Sequence, residues 1–267
     1  MALLRTLADQ GRPVFTTRDA RLAADEAGIG SSYLKELLRR LSKTGWIERI
    51  KRGTYVITAG IPGFPLELHP FAIGMALVDL SAVSGWAALN YHGLTEQIPR
   101  TITLTTPKHT VTPAMRGAAS SPSSKWRVGE NQFELVTVVP SHFFGYEDVW
   151  LGEARVRIFD RERALLDCFA LPRKFGGISE GLAIVDEHLH ELDIERLVSH
   201  TLRYGKASVA KRAGYALELV GADAAVLKPL RDIPVKGYRL LDPTRPARGR
   251  RSGRWSLRDN LGTQRSR

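Results

Sequence analysis

The 267-residue sequence predicts an α+β protein in two parts, on three observations. Residues 31–58, SSYLKELLRRLSKTGWIERIKRGTYVIT, pass from a helical pattern straight into two short β-rich stretches. A proline- and glycine-rich break, AGIPGFPLELHP, follows at 59–70. Beyond it, strand patterns come mostly before helix patterns, the order of an α+β body rather than an alternating α/β one.

Taken in order, residues 2–10 place Leu3, Leu4 and Leu7 at helical spacing and stop at Gly11. Residues 14–16 read as a short strand. Thr17 and Asp19 then open a second helix to about residue 27, with Leu22 and Ala23 as its packing residues, and Gly28-Ile29-Gly30 makes a tight turn. In the third helix Leu34, Leu37, Leu38 and Leu41 recur at i, i+3, i+4 and i+7, one apolar face, with Ser31 as its N-cap. The opposite face carries Ser32, Lys35, Glu36, Arg39, Arg40 and Lys43. After Gly45, apolar runs at 46–50 and 54–57 flank Lys51-Arg52-Gly53, which predicts a hairpin with a basic tip. Two helices meeting at a tight turn, followed by such a hairpin, form a winged helix-turn-helix. The expected organisation is therefore a winged helix over 1–60, a linker over 61–69 and a larger mixed α+β domain over 70–267.

In that larger part, 71–80 and 82–91 are Ala- and Leu-rich helical runs, the second ending at His92-Gly93, with His92 read as a dipole-favoured cap. Residues 102–106 alternate as a strand, and 125–128 pairs with 133–139 across Gly129-Glu130-Asn131. The Ser-, Ala- and Pro-rich stretch 112–124 reads as a surface loop, and 149–151 with 154–159 as a hairpin turning at Gly152. Asp160 caps a helix, DRERALLDCFALP, that Pro172 stops; Leu165, Leu166 and Phe169 are its core, and Arg163 and Asp167 stand at the i, i+4 spacing of an ion pair. Helices at 179–190, 194–204, 208–220 and 223–231 precede a short apolar run at 238–241. No internal repeat is visible.

Charge is unevenly spread. Residues 1–58 hold 11 Lys and Arg against 6 Asp and Glu, 59–235 hold 18 against 20, and 236–267 hold 10 against 2, so net charges of +5, −2 and +8 make up the +11. A basic head and tail point to a polyanion, because lysines and arginines that neutralise phosphates release condensed counterions. In a winged helix the second helix of the turn enters the major groove and the hairpin reaches the backbone. That assigns Ser32, Tyr33, Lys35, Glu36, Arg39 and Arg40 to the groove, and Arg49, Lys51 and Arg52 to phosphate. At the other end RPARGRRSGR, 245–254, is too polar to pack and reads as a flexible basic segment. Arg245, Arg248, Arg250, Arg251 and Arg254 form either an accessory phosphate-binding arm or a solvated loop from which Trp255 and Leu257 return to the body.

Enzyme signatures are weak. On one helix, Glu162 lies about 160° round from Asp160, so Asp160, Glu162 and Asp167 do not converge on a metal. His188 and His190, two apart, point to different sides, unlike the i, i+4 pair of a helical zinc site. There is no phosphate-binding loop, dinucleotide fingerprint or nucleophile elbow. The single cysteine, Cys168, excludes an internal disulfide and a thiolate-rich zinc site. With no apolar run near 18 residues and no signal-like N-terminus, a cytoplasmic chain without cofactor or metal is expected.

The winged helix, together with SAVSGWAALNYHGLTEQIP at 81–99, ITLTTPK, VRIFDRERALLDCFALP at 156–172, SVAKRAGYALE at 208–218, YRLLDP and RWSLRDN, resembles the AbiEi family over nearly the whole chain. These are antitoxins and transcriptional regulators of bacterial type IV toxin-antitoxin and abortive-infection systems, a form of phage defence. The resemblance implies an autorepressor whose winged helix binds inverted repeats in double-stranded DNA upstream of its operon. It also implies a C-terminal domain that counters a nucleotidyltransferase-like toxin without a stable complex, in a protein that is a monomer or weak dimer binding DNA cooperatively. It supplies no catalytic residues. Two alternatives stay open at this point: a ligand-responsive winged-helix repressor, and a nucleic-acid-processing enzyme that uses a winged helix for targeting.

Overall fold

A computed structural model describes residues 1–58, 60, 68–110, 125–152 and 154–262. The fold is α+β, with helix-turn-helix elements at the N-terminus and a larger mixed region after them. The expected loop at 112–124 and most of the expected linker, residues 61–67, lie outside the described residues. Two compact units are formed: Met1–Val83, Arg100–Thr137 and Asp148–Arg157 make the first, and Ser84–Pro99, Val138–Glu147 and Ile158–Arg267 the second.

The first unit opens with α1 (Ala2–Asp9), β1 (Val14–Thr16), α2 (Thr17–Glu26), α3 (Ser31–Lys43), β2 (Ile47–Lys51) and β3 (Thr54–Ile57). Thr16 and Asp19 form a reciprocal capping box, each side chain accepting from the other's backbone N–H, which fixes where α2 begins. β1 pairs antiparallel with β3, Phe15 opposite Tyr55, and β3 with β2, so the wing is the outer hairpin of a three-stranded sheet. One apolar core joins Leu3, Leu4 and Leu7 of α1, Ala20, Ala23 and Ala24 of α2, Leu34, Leu38 and Leu41 of α3, and Phe15, Ile47 and Ile57 of the sheet. Three expectations are corrected here. Leu22 is exposed, because the buried stripe of α2 is Ala20, Ala23 and Ala24 and Leu22 lies on the far side. Leu37 is only partly buried. Gly30, with no side-chain cap bond, is the N-cap of α3, and Ser31 is its first helical residue.

The same unit continues through α4 (Pro70–Leu77) and holds most of a six-stranded sheet. Its strands are β4 (Ala82–Ser84), β5 (Thr101–Thr106), β6 (Lys125–Val128), β7 (Asn131–Thr137), β8 (Tyr146–Leu151) and β9 (Ala154–Phe159), in the order β6-β7-β5-β4-β9-β8. β6 and β7 pair antiparallel across the Gly129 turn, Trp126 opposite Phe133, while β5 and β7 run parallel, Leu104 opposite Leu135. The expected helix over 82–91 is corrected in its first three residues. Ala82, Val83 and Ser84 are all buried and form β4, and Gly85 has φ +60°, a turn no right-handed helix passes through. Two polar bonds tie the wing to its own unit: Gly129 N–H donates to Glu48 Oε2 at 2.6 Å, and Lys51 Nζ to Asp79 Oδ1 at 2.7 Å.

The second unit is mainly helical: α5 (Gly85–Tyr91), α6 (Arg161–Ala170), α7 (Ser179–His188), α8 (Ile194–Tyr204), α9 (Ala207–Leu219) and α10 (Ala224–Arg231). A small sheet, ordered β10 (Arg239–Leu240), β12 (Leu257–Asp259), β11 (Arg250–Ser252), completes it. Asp160 caps α6 as expected, its carboxylate accepting from Arg163 N–H at 2.7 Å, and Leu165, Leu166 and Phe169 are fully buried. α9 is where the distant sequence motifs meet. Gly214 lets the Trp255 ring lie against the helix; a Cβ there would stand 2.2 Å from the ring. Trp255 Nε1 donates to Glu218 at 2.6 Å and Tyr215 OH to Asp259 at 3.0 Å. Asp242, fully buried, accepts from Ile178 N–H and from Thr244, and its backbone exchanges bonds with the Asn260 amide.

The flexible segment expected at 245–254 is corrected by this sheet. Arg250 to Ser252 pair antiparallel with Leu257 to Asp259, and Trp255 and Leu257, both buried, anchor the hairpin. Composition alone misleads there because the anchors lie just outside the arginine run. His92 is the C-cap residue of α5, its N–H bonded to Ala88 O, while its ring bonds Phe159 O at 2.7 Å. Among the described residues no helix is long and apolar enough to cross a membrane.

Candidate nucleic-acid interface

α3 buries Leu34, Leu38 and Leu41 and turns its other residues outward. Ser32, Tyr33, Lys35, Glu36, Arg39 and Arg40 are all exposed. A groove of about 880 Å³ runs along this face, bounded by Ser31, Ser32, Lys35, Glu36, Arg39, Ser42 and Lys43 of α3, Thr17 and Arg21 of α2, and Arg49 and Tyr55 of the wing strands. Five cations therefore border one open cleft, with a single carboxylate, Glu36, among them.

That carboxylate is engaged. Arg39 Nε and Nη2 donate to its two oxygens at 3.0 and 2.9 Å, a bidentate pair one helical turn apart, and the Arg39 guanidinium holds Glu36 below the ordinary carboxylate range. The planar fork of arginine keeps donors free on its other edge. Lys35, Arg40 and Arg52 have no acidic partner among the described residues, whereas Lys51 is held by Asp79 and Arg49 donates to Lys51 O at 3.4 Å. The two cations of the wing tip thus differ, Lys51 half-buried and paired, Arg52 exposed.

Sequence reasoning missed Arg21 and Thr17 and set Lys43 aside. Arg21 was legible in part: it is one residue on from the buried Ala20, so about 100° round the helix, and one turn from Thr17. What placed it against α3 was the fold, through the Gly28 to Gly30 turn.

The C-terminal arginines separate into two groups. Arg254 pairs with Glu218 at 2.5 Å and Arg245 with Asp242 at 3.5 Å, while Arg248, Arg250 and Arg251 are exposed.

The acidic residues and histidines weighed for enzymatic chemistry are dispersed into structural roles. Asp160 caps α6 and bonds His200 Nε2 at 2.9 Å; buried Glu162 accepts from Asp193 N–H at 2.9 Å; His188 bonds Glu191 at 2.9 Å. Asp167 pairs with Arg163, both buried, and burial pushes its carboxyl up from the usual range while Arg163 opposes the shift. The Arg163 guanidinium lies over Phe159, 4.4 Å from the ring centre, with Phe144 at 5.2 Å and Tyr204 at 5.5 Å. Among the described residues no group of three or more His, Cys, Asp or Glu is arranged to hold a metal.

No curated protein matches the chain by sequence. A crystal structure of the RV2827C protein from Mycobacterium tuberculosis matches with a TM-score of 0.68 at 18% identity, covering 97% of this chain and 90% of that one, which is a likeness of fold. Residues 2–58, the segment that contains α1, the helix-turn-helix and both wing strands, match a family model described as transcriptional regulator, AbiEi antitoxin. Over that N-terminal segment the chain is similar to the AbiEi antitoxin family of transcriptional regulators.

Proposed function

We propose that the protein is a DNA-binding autorepressor and antitoxin of a type IV toxin-antitoxin system, acting in the cytoplasm without a cofactor. The observation that carries this reading is the outward face of α3, where Arg21, Lys35, Arg39, Lys43 and Arg49 border one open groove beside an exposed wing. A helix of 13 residues offering a polar face of this kind fits the major groove, where arginine and lysine read guanine edges, while Arg52 on the wing meets phosphate. Ser32, Tyr33, Lys35, Glu36, Arg39 and Arg40 face the bases in this reading; Arg49 is a phosphate contact; Lys51 contributes once it leaves Asp79. Inverted repeats upstream of the operon are the target, bound cooperatively by a monomer or weak dimer. The family resemblance supports the antitoxin half: a nucleotidyltransferase-like toxin opposed without a stable complex.

The test is a gel-shift titration of the purified protein on its own upstream DNA and on a scrambled duplex of equal length, at two salt concentrations. Stepwise, preferential binding to the upstream duplex is expected, with a steep loss of affinity as salt rises. Equal binding to both duplexes refutes the repressor. Co-expression with the adjacent toxin gene, scored for growth rescue, tests the antitoxin half separately.

A further inference from the structure

In the C-terminal sheet, residues directly opposite one another share a face. Arg251 lies opposite Arg258, and Arg258 opposite Leu240, so these three stand on one face together with Tyr238, two residues before Leu240. On the other face Leu257, paired with Ser252 and Arg239, is fully buried. The face carrying Tyr238, Arg251 and Arg258 is therefore the outward one. Two arginines in register repel one another, and an anion laid across them relieves that repulsion; Arg258 Nη1 also donates to Ala247 O at 2.6 Å, which leaves the rest of its guanidinium fork for such an anion. The Arg251 guanidinium sits 5.2 Å from the centre of the Tyr238 ring, which is 45% exposed. Arg248, Arg250 and Lys236 are exposed close by in sequence, while Arg245 and Arg254 are committed to Asp242 and Glu218.

We propose that this face binds single-stranded RNA, with one base stacked on Tyr238 beside Arg251 and neighbouring phosphates held by Arg251, Arg258 and Arg248. Duplex DNA presents phosphates and base edges but no base face, so a solvent-exposed aromatic ring flanked by arginines on a short sheet is suited to an unpaired strand. The contact is short, two or three nucleotides, because the strands hold only two or three residues each. This surface lies in the second unit and is independent of the α3 groove, so either assignment can fail without the other.

The experiment uses the full chain and a labelled oligouridine of about 12 nucleotides, read by fluorescence anisotropy, with upstream duplex DNA titrated in parallel. Tyr238→Ala and Arg251→Ala are each expected to weaken RNA binding about tenfold, with duplex binding unchanged. Tyr238→Phe, which keeps the ring, is expected to bind RNA like the native chain. The exposed positions leave the thermal melt unchanged, which circular dichroism checks. The proposal is overturned if the native chain does not bind the oligouridine, if the alanine variants bind it undiminished, if Tyr238→Phe falls as far as Tyr238→Ala, or if RNA and duplex affinities fall together.

Discussion

α3 and α6 are both helices rich in cations, and they use them in opposite ways. In α3 the apolar stripe is Leu34, Leu38 and Leu41, so Lys35, Arg39, Arg40 and Lys43 turn to solvent, and Lys35, Arg39 and Lys43 line an open groove. In α6 both faces are covered: Arg163 is 1% exposed, ion-paired to Asp167 and laid over Phe159. Lys211 and Arg212 of α9 follow α6, donating to the carbonyls of Arg231, Leu230, Phe169 and Leu240. A count of lysines and arginines therefore says little about function until burial divides them. The cations whose charge is consumed inside the fold stabilise it; those left in water are available to a partner.

Three perturbations press on that division. The largest effect is expected inside the second unit. Arg163→Met leaves the Asp167 carboxylate buried without its cation and should cost about 3–5 kcal/mol in urea unfolding. Asp167→Leu added to it should recover much of the loss, since a well-packed apolar pair is tolerated where half an ion pair is not. Binding of the upstream duplex by the folded fraction should not change; a selective loss of DNA affinity would place Arg163 at the partner surface instead.

Acid should act next, again on the second unit. Burial alone would raise the Asp242 carboxyl, but the bonds from Thr244 and Ile178 and the nearby Arg245 outweigh it and hold it below the ordinary range. A carboxylate depressed in the folded state adds stability that is present above its unfolded pKa and is lost as pH falls through the folded one. Stability followed by tryptophan fluorescence should thus decline below about pH 4, and Asp242→Asn should flatten that decline while lowering stability at neutral pH. An unaltered acid limb in the variant would free Asp242 of the role.

The smallest effects belong to α3 and the wing, where no change in stability is expected. Arg39→Ala should lower the ratio of upstream to scrambled affinity about tenfold if Arg39 reaches a base. Arg52→Ala should weaken both duplexes alike and reduce the salt slope by about one, and Lys51→Ala, already held by Asp79, should do less. An unchanged slope on Arg52→Ala removes the wing tip from the interface.

Much of the fold was legible because periodicity and punctuation agreed. The leucine spacing of α3, the opening of α2 at Thr17 and Asp19, and the Gly129 turn each left a local mark, although the cap of α2 is Thr16. The Arg163 and Asp167 spacing was legible too, but only tertiary packing shows that the pair is buried rather than solvated. Where sequence reasoning failed, the deciding partner was remote. Ala82 to Ser84 are helix-compatible residues that the sheet claims, and the arginine run at 245–254 folds because Trp255 packs on Gly214, some 40 residues earlier. For the candidate site, the polar face of α3 could be read directly, whereas Arg21 and the Glu36–Arg39 fork required the assembled groove.

The strand order of the six-stranded sheet has a consequence for the chain while it is being made. β4 lies between β5 and β9, yet about 70 residues separate its end from the start of β9. At about 5–20 residues per second, one side of that short apolar strand waits roughly 4–14 seconds on the ribosome for its neighbour. The segment 1–58, whose core is complete within itself, is under no such delay. The N-terminal segment that carries the α3 groove is thus positioned to fold first, while the rest of its unit is still an open sheet.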